Sequence, residues 1–409
     1  MNRRDFLKTT TLATLAAASF GSLSRLLAQT PTVAASRAPA TDLTVGLNAY
    51  SFAKELGIGA RGGSKSSSGG KKSGGKKSGS GSTTEKTEIL GGVKGAGTTS
   101  TAAGMTLYGL IDYCADPKHR FDAVDLTGYY FPNYNLNTTA VPPDDFIKKI
   151  KQYAADREMP VSGTGIGNTL TGVDFDKEYR VTGIPKPDMG GDPKALANEV
   201  ARIKAWIEVA AKLGAPVLRI FAGLEPSTLI KWHVKPDDPQ REAKAEQLVK
   251  WRAETFKRMV DAIHQVLPTA QQNGVIVGIQ NHGEFLWNAD VCLELLNAVN
   301  DRKNFGLILD TGYFTTPDPY IDIERMVPYA VNFQIKEFAR VTPSRDIDPD
   351  TCFQPMDLHR LMGIMRKTGY KGLLPIETLS AGKSVPYDPY KEVPPFLAKV
   401  RAAIAETKG

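Results

Sequence analysis

Six polar side chains cluster at the ends of four apolar runs, and their types and spacing define the chemistry open to the chain. Asp310 closes Gly306-Leu307-Ile308-Leu309, and Glu377 follows Leu373-Leu374-Pro375-Ile376. A carboxylate buried in such a setting is costly unless it meets a cation or several hydrogen-bond donors. Each is therefore a candidate metal ligand or a structural acceptor, and Glu377 is also a candidate general base. Gln280 and His282 are two residues apart, so strand alternation turns both to one side, and the same parity joins Gln334 to Lys336. His282 is a candidate base or substrate contact, or a histidine bonded to a loop. Lys336 can neutralise a developing oxyanion or pair with a neighbouring carboxylate. Gln280 and Gln334 can offer carbonyl oxygens to a hard cation, bind a hydroxyl, or complete a buried network.

Further candidates stand nearby. Arg219 lies within Leu218-Arg219-Ile220-Phe221, where a charge needs a partner, so it is either a substrate contact or half of a structural ion pair. Asp125, Glu225, Arg340 and Trp287 follow other apolar runs and are candidate substrate contacts.

Placing these residues together requires a scaffold of repeated strands and helices. Apolar runs at 43–52, 121–130, 160–169, 216–223, 275–282, 305–313, 331–337 and 372–378 predict eight strands. Between them, 144–157, 193–213, 242–273, 288–300 and 357–367 show helical patterns, several followed by a glycine, as at Gly214, Gly274 and Gly369. Strands alternating with helices predict parallel βα units. Eight units without a GxGxxG after the first strand predict a single-domain α/β fold, the (β/α)8 TIM barrel, over residues 41–400. In such a barrel the chemistry sits at the carboxyl ends of the strands, where all of these residues fall.

The segments Val277-Gly278-Ile279-Gln280-Asn281-His282-Gly283, Leu309-Asp310-Thr311-Gly312, Phe333-Gln334-Ile335-Lys336-Glu337 and Pro375-Ile376-Glu377 carry a resemblance. The chain resembles the xylose isomerase-like sugar phosphate isomerases and epimerases. That resemblance implies a divalent ion held by one residue from each of strands five to eight, here Gln280, Asp310, Gln334 and Glu377. The family pattern has Glu and His where this chain has Gln280 and Gln334. Two neutral carbonyl oxygens beside two carboxylates suit Mn²⁺ or Mg²⁺, bound weakly. The resemblance also implies proton transfer α to a carbonyl of a sugar or oxidised sugar, giving isomerisation or epimerisation. Gln280 cannot serve as a base, so His282, Lys336 or Asp125 replaces it, or the reaction uses one base, as in β-elimination from a keto glycoside. On this reading Arg219, Arg340 and Asp125 contact the carbohydrate, and Trp287 stacks on a sugar ring. A sugar-binding barrel that has lost catalysis is the alternative suggested by the two glutamines.

Charge and composition narrow the partners. The 409 residues are 41% hydrophobic and 23% charged, an ordinary globular balance, and no stretch after the first thirty residues is apolar for the ~18 positions of a membrane helix. Of the net charge of +7, residues 1–40 carry +4 and residues 61–94 carry +6, which leaves −3 for the barrel. A mildly acidic body poor in His argues against DNA as substrate, so the expected partner is a small carbohydrate and no nucleic acid; an oligomer is compatible with the sequence. Asn2-Arg3-Arg4-Asp5-Phe6-Leu7-Lys8 before an Ala/Thr-rich apolar stretch resembles a twin-arginine export signal, so residues 1–40 are expected to be signal and linker and the protein periplasmic. Residues 62–104, almost free of bulky apolar side chains, are expected to be a disordered insertion after the first strand. Cys114, Cys292 and Cys352 have no close pairing and read as small buried hydrophobes.

Overall fold

The computed structural model describes residues 41–57, 104–136, 138–170, 193–223, 239, 241–282, 285–343, 352–379 and 386–408. The expected export signal, residues 62–103 of the expected insertion and Glu225 lie outside the described residues. All eight expected strands form: β1 (Leu43–Asn48), β2 (Ala123–Thr127), β3 (Val161–Gly165), β4 (Val217–Phe221), β5 (Ile276–Gln280), β6 (Phe305–Asp310), β7 (Ala330–Gln334) and β8 (Gly372–Ile376). They pair in parallel in the order β8-β1-β2-β3-β4-β5-β6-β7. Two hydrogen bonds close the cylinder at the remaining seam, Ile335 N to Pro375 O at 2.8 Å and Glu377 N to Ile335 O at 2.9 Å.

Each strand stops two to four residues before its apolar run does. At the end of β1 the Asn48 side chain accepts from Tyr50 N and starts a turn of 3-10 helix over Ala49–Phe52. Helices α1 (Leu107–Ala115), α2 (Asp144–Ala155), α3 (Pro193–Leu213), α4 (Arg241–Asn273), α5 (Ala289–Val299), α6 (Pro319–Met326), α7 (Leu358–Lys367) and α8 (Pro389–Glu406) surround the strands. Side-chain oxygens of Thr106, Asn288, Asp318, Asp357 and Asp388 accept from amides in the first turns of α1, α5, α6, α7 and α8. Met105 N donates to Glu55 O at 2.7 Å, so the described residues on either side of 58–103 lie side by side. A small sheet of Thr315–Thr316, Phe338–Val341 and Phe353–Pro355, absent from the sequence expectation, follows the ends of β6 and β7.

The sheet divides the apolar side chains into two clusters. Outward residues such as Val45, Leu126, Ile220, Ile279, Leu309, Phe333 and Ile376 pack against the helices in the main core, each burial contributing about 1.5–3 kcal/mol. Val217, Ile276 and Ile308, with Val331 packed against them, form a separate cluster inside the barrel, its floor. Glycines make room for it: a Cβ on Gly278 would lie 2.4 Å from Ile308 Cδ1, and one on Gly306 would lie 2.2 Å from Val331 Cγ1 and 3.0 Å from Tyr329 O. Gly306→Ala is therefore expected to destabilise by about 1–3 kcal/mol in chemical denaturation; a change within about 0.5 kcal/mol would show that this floor is not tightly packed.

Candidate active site

Register and closure bring the predicted polar residues together. Asp310 pairs directly with Gln334 across β6 and β7, and Gln280 sits opposite Ile308 across β5 and β6. The Gln280 amide donates to Asp310 Oδ2 at 2.7 Å and to Gln334 Oε1 at 2.6 Å. The other Asp310 oxygen accepts from Gly312 N at 3.0 Å. Asn281 fixes the same strand end: its Nδ2 donates to Asp310 O at 2.9 Å and its Oδ1 accepts from Asp310 N at 2.7 Å. Asp310 is fully buried, and burial raises its pKa against the opposing pull of Lys336.

Lys336 completes the group. Its Nζ is in contact with Glu377 Oε1 and lies 3.4 Å from Asp310 Oδ2, and all three side chains are buried. The seam bond from Glu377 N to Ile335 O sets Glu377 beside Lys336, just past the end of β7. Gly312 makes the approach possible, because a Cβ there would lie 2.7 Å from Lys336 Cγ and 2.9 Å from Phe338 O. Burial opposes the lysine charge, but Asp310, Glu377 and Tyr313 outweigh it and hold the pKa above the ordinary lysine range. Lys336 is thus a fixed cation, suited to stabilising negative charge and unsuited to taking a proton.

Above these residues opens a cleft of about 110 Å³ that Gln280, Gln334, Lys336 and Glu377 line together with Asn48, Tyr50, Tyr129, Arg219, Phe221, His282, Tyr313 and Leu379. That volume is below the roughly 300–1,000 Å³ usual for sites that take drug-sized molecules. His282 stacks on Tyr313 with centroids 3.9 Å apart, and burial pushes the Tyr313 phenol up to about 12, so it stays protonated. Arg219 donates to Tyr129 OH at 2.9 Å and to Ile166 O at 3.4 Å, with its guanidinium 4.3 Å from the centre of the Phe221 ring. It fits only because β3 carries glycine at this level: a Cβ on Gly165 would lie 2.5 Å from Arg219 Nε.

Residues 118–400 match the model of the xylose isomerase-like TIM barrel family. The chain belongs to that family. No curated protein matches the sequence significantly. Among solved structures, the D-allulose 3-epimerase from Methylomonas sp. is similar with a TM-score of 0.51 at 11% identity, covering 90% of this chain and 100% of that one. The 3-keto-D-glucoside 4-epimerase from E. coli gives 0.49 at 13% identity, covering 73% and 94%. The IOLI protein "with a binding zinc atom" gives 0.49 at 12%, covering 89% and 97%.

This family member brings together the four side chains that the resemblance assigns to an ion, but it adds Lys336 among them. As they stand, these residues fit an ammonium and not a dication. Both Asp310 oxygens and Gln334 Oε1 already accept hydrogen bonds, and Glu377 Oε1 is taken by Lys336. A dication about 4 Å from the ammonium would meet a repulsion of about 8 kcal/mol at an effective dielectric of ~20. Among the described residues no group of three or more His, Cys, Asp and Glu could hold a metal ion.

The other predicted residues divide. His282 and Arg219 line the cleft; Trp287 is half-buried and does not. Arg340 lies 4.2 Å over the Tyr313 ring and 5.3 Å over the Phe353 ring and does not line the cleft. Asp125 is buried beneath, with Oδ2 3.4 Å from Asn332 Nδ2 and 2.7 Å from where a Cβ on Gly163 would stand. Sequence reasoning missed Asn48, Tyr50, Tyr129 and Phe221 as lining groups. The alternating glycines of Ser162-Gly163-Thr164-Gly165 were the available signal, since they empty two successive inward positions.

Burial raises the Asp125 carboxyl to about 6 despite the opposing influence of Arg219. Its contribution to stability is full below the ordinary carboxylate range and is lost as pH rises through about 6. Asp125→Asn is expected to remove about 2–3 kcal/mol of the difference in unfolding free energy between about pH 4 and pH 8. Identical pH dependence in the two proteins would show that Asp125 is not desolvated.

Proposed function

We propose that the chain is a sugar isomerase/epimerase-type enzyme that moves a proton α to the carbonyl of a sugar or oxidised sugar. The observation that carries this is the buried Lys336 cation beside Glu377 at the bottom of the cleft. Membership of the xylose isomerase-like family supports the reading, and the fold shared with a D-allulose 3-epimerase is in keeping with it.

In the proposed step, the substrate carbonyl oxygen lies against the Lys336 ammonium. Glu377 removes the α proton, the C–H electrons form the enediolate double bond, and the carbonyl π electrons move to the oxygen facing Lys336. Return of a proton to the same carbon from the other face gives the epimer; return to the former carbonyl carbon, with the α-hydroxyl proton passing to the oxygen facing Lys336 as a new carbonyl forms at the α carbon, gives the isomer. His282, on the same cleft, is the second titratable group placed to handle that proton. The rings of Tyr50, Tyr129, Phe221 and Tyr313 provide the apolar walls that sugar rings use for packing. Arg219, with Tyr129 bound to it, meets a hydroxyl or carboxylate of the substrate.

The resemblance offers a second assignment, with Gln280, Asp310, Gln334 and Glu377 holding Mn²⁺ or Mg²⁺. It requires Lys336 to leave the carboxylates first.

Incubation with keto sugars and keto glycosides in D₂O is expected to place solvent deuterium on the carbon α to the carbonyl, read by mass spectrometry and proton NMR. Loss of an aglycone in the same assay identifies elimination. Glu377→Gln is expected to slow exchange by about 10²–10⁴-fold while sugar-induced thermal stabilisation persists. Stabilisation by a sugar without any exchange would replace the enzyme with a sugar-binding barrel.

A further inference from the structure

We infer that the Lys336 ammonium is the resident cation of this site, held where a dication would otherwise sit, so that the site works without a divalent metal. This deepens the reading above, but its structural part stands independently of any substrate. Three observations carry it. The first is charge: Asp310, Glu377 and Lys336 sum to −1 and the glutamines add nothing, which leaves too little negative charge to draw in a dication. The second is occupancy, since Nζ already touches Glu377 and lies 3.4 Å from Asp310 Oδ2. The third is construction. Glycine at 312 leaves the lysine stem its path, and the Gln280 amide spends its N–H groups on Asp310 and Gln334, turning two would-be ligands into partners of a third.

The three features are mutually dependent. Glutamate at 280 would place a third carboxylate against Asp310 and would lose the amide donor that both neighbours now accept from. With glutamine there, the ammonium faces two carboxylates instead of three, and the amide N–H meets one of them. In the proposed step the same ammonium neutralises the enediolate oxygen, the part a Lewis acid would otherwise play.

The test is a Mn²⁺ titration of the chelator-dialysed protein alone, followed by electron paramagnetic resonance and by thermal unfolding. The wild type is expected to show no saturable uptake that depends on Asp310 and no thermal shift up to millimolar Mn²⁺. The combined variant Gln280→Glu, Gln334→His, Lys336→Ala restores charge and vacates the lysine position, and is expected to bind Mn²⁺ at least about tenfold more tightly. One equivalent of Mn²⁺ taken up by the wild type and lost in Asp310→Asn overturns the proposal, and the wild-type titration decides even where a variant fails to fold. Because no sugar is present, absence of metal uptake together with absence of deuterium exchange would reject the proposed reaction and leave the lysine assignment standing.

Discussion

The structure depends on one buried ion cluster, the Lys336 ammonium against Glu377 and Asp310. Taking three charges out of water is unfavourable unless each is matched and its remaining hydrogen-bonding capacity is met. Here the matching is done by neighbours on the same barrel mouth: Gln280 and Gly312 N satisfy Asp310, and Lys336 satisfies Glu377. Removing any one partner would leave a buried charge exposed to its full desolvation cost. The cluster is therefore both a structural lock between β6, β7 and β8 and the electrostatic centre of the cleft.

The barrel exists to deliver these side chains to one level. The outward faces of the strands supply the apolar core that stabilises the fold, while the inward faces change character along the axis. Val217, Ile276 and Ile308 fill the floor, Asp125 and Asn332 form a polar layer above it, and the cluster and cleft lie at the carboxyl ends. Glycines at 163, 165, 278, 306 and 312 admit the larger inward side chains. A side chain at any of them would collide with Asp125, Arg219, Ile308, Val331 or Lys336. Specificity of shape inside this barrel thus comes as much from missing side chains as from those present.

Much of this was legible in the sequence because parallel strands buried on both faces read as unbroken apolar runs. All eight such runs proved to be strands, and Arg219, Gln280, His282, Gln334, Lys336 and Glu377, from four of them, line one cleft, whereas Asp125, Trp287 and Arg340 do not. The runs overstated strand length because Asn48 and similar end groups divert the backbone into turns, a competition that hydrophobicity does not record. The short sheet containing Phe338–Val341 was missed because strands of two to four residues carry too little pattern. Among site residues, those with an isolated charge or amide in an apolar run were found. Tyr50, Tyr129 and Phe221 were not, since an aromatic residue at a strand end looks the same whether it packs on a helix or walls a cleft. Lys336 was recognised as inward-facing, but which partner it chooses is set by the closing seam between β7 and β8, a contact between segments 41 residues apart that no local pattern encodes.

The most direct test of the account is a crystal structure of the protein grown with excess Mn²⁺, with anomalous scattering data collected at the manganese edge. The account predicts no anomalous peak between Asp310 and Glu377, with Lys336 Nζ in contact with both carboxylates. A manganese peak at that position, with the lysine side chain turned away from the two acids, would contradict it.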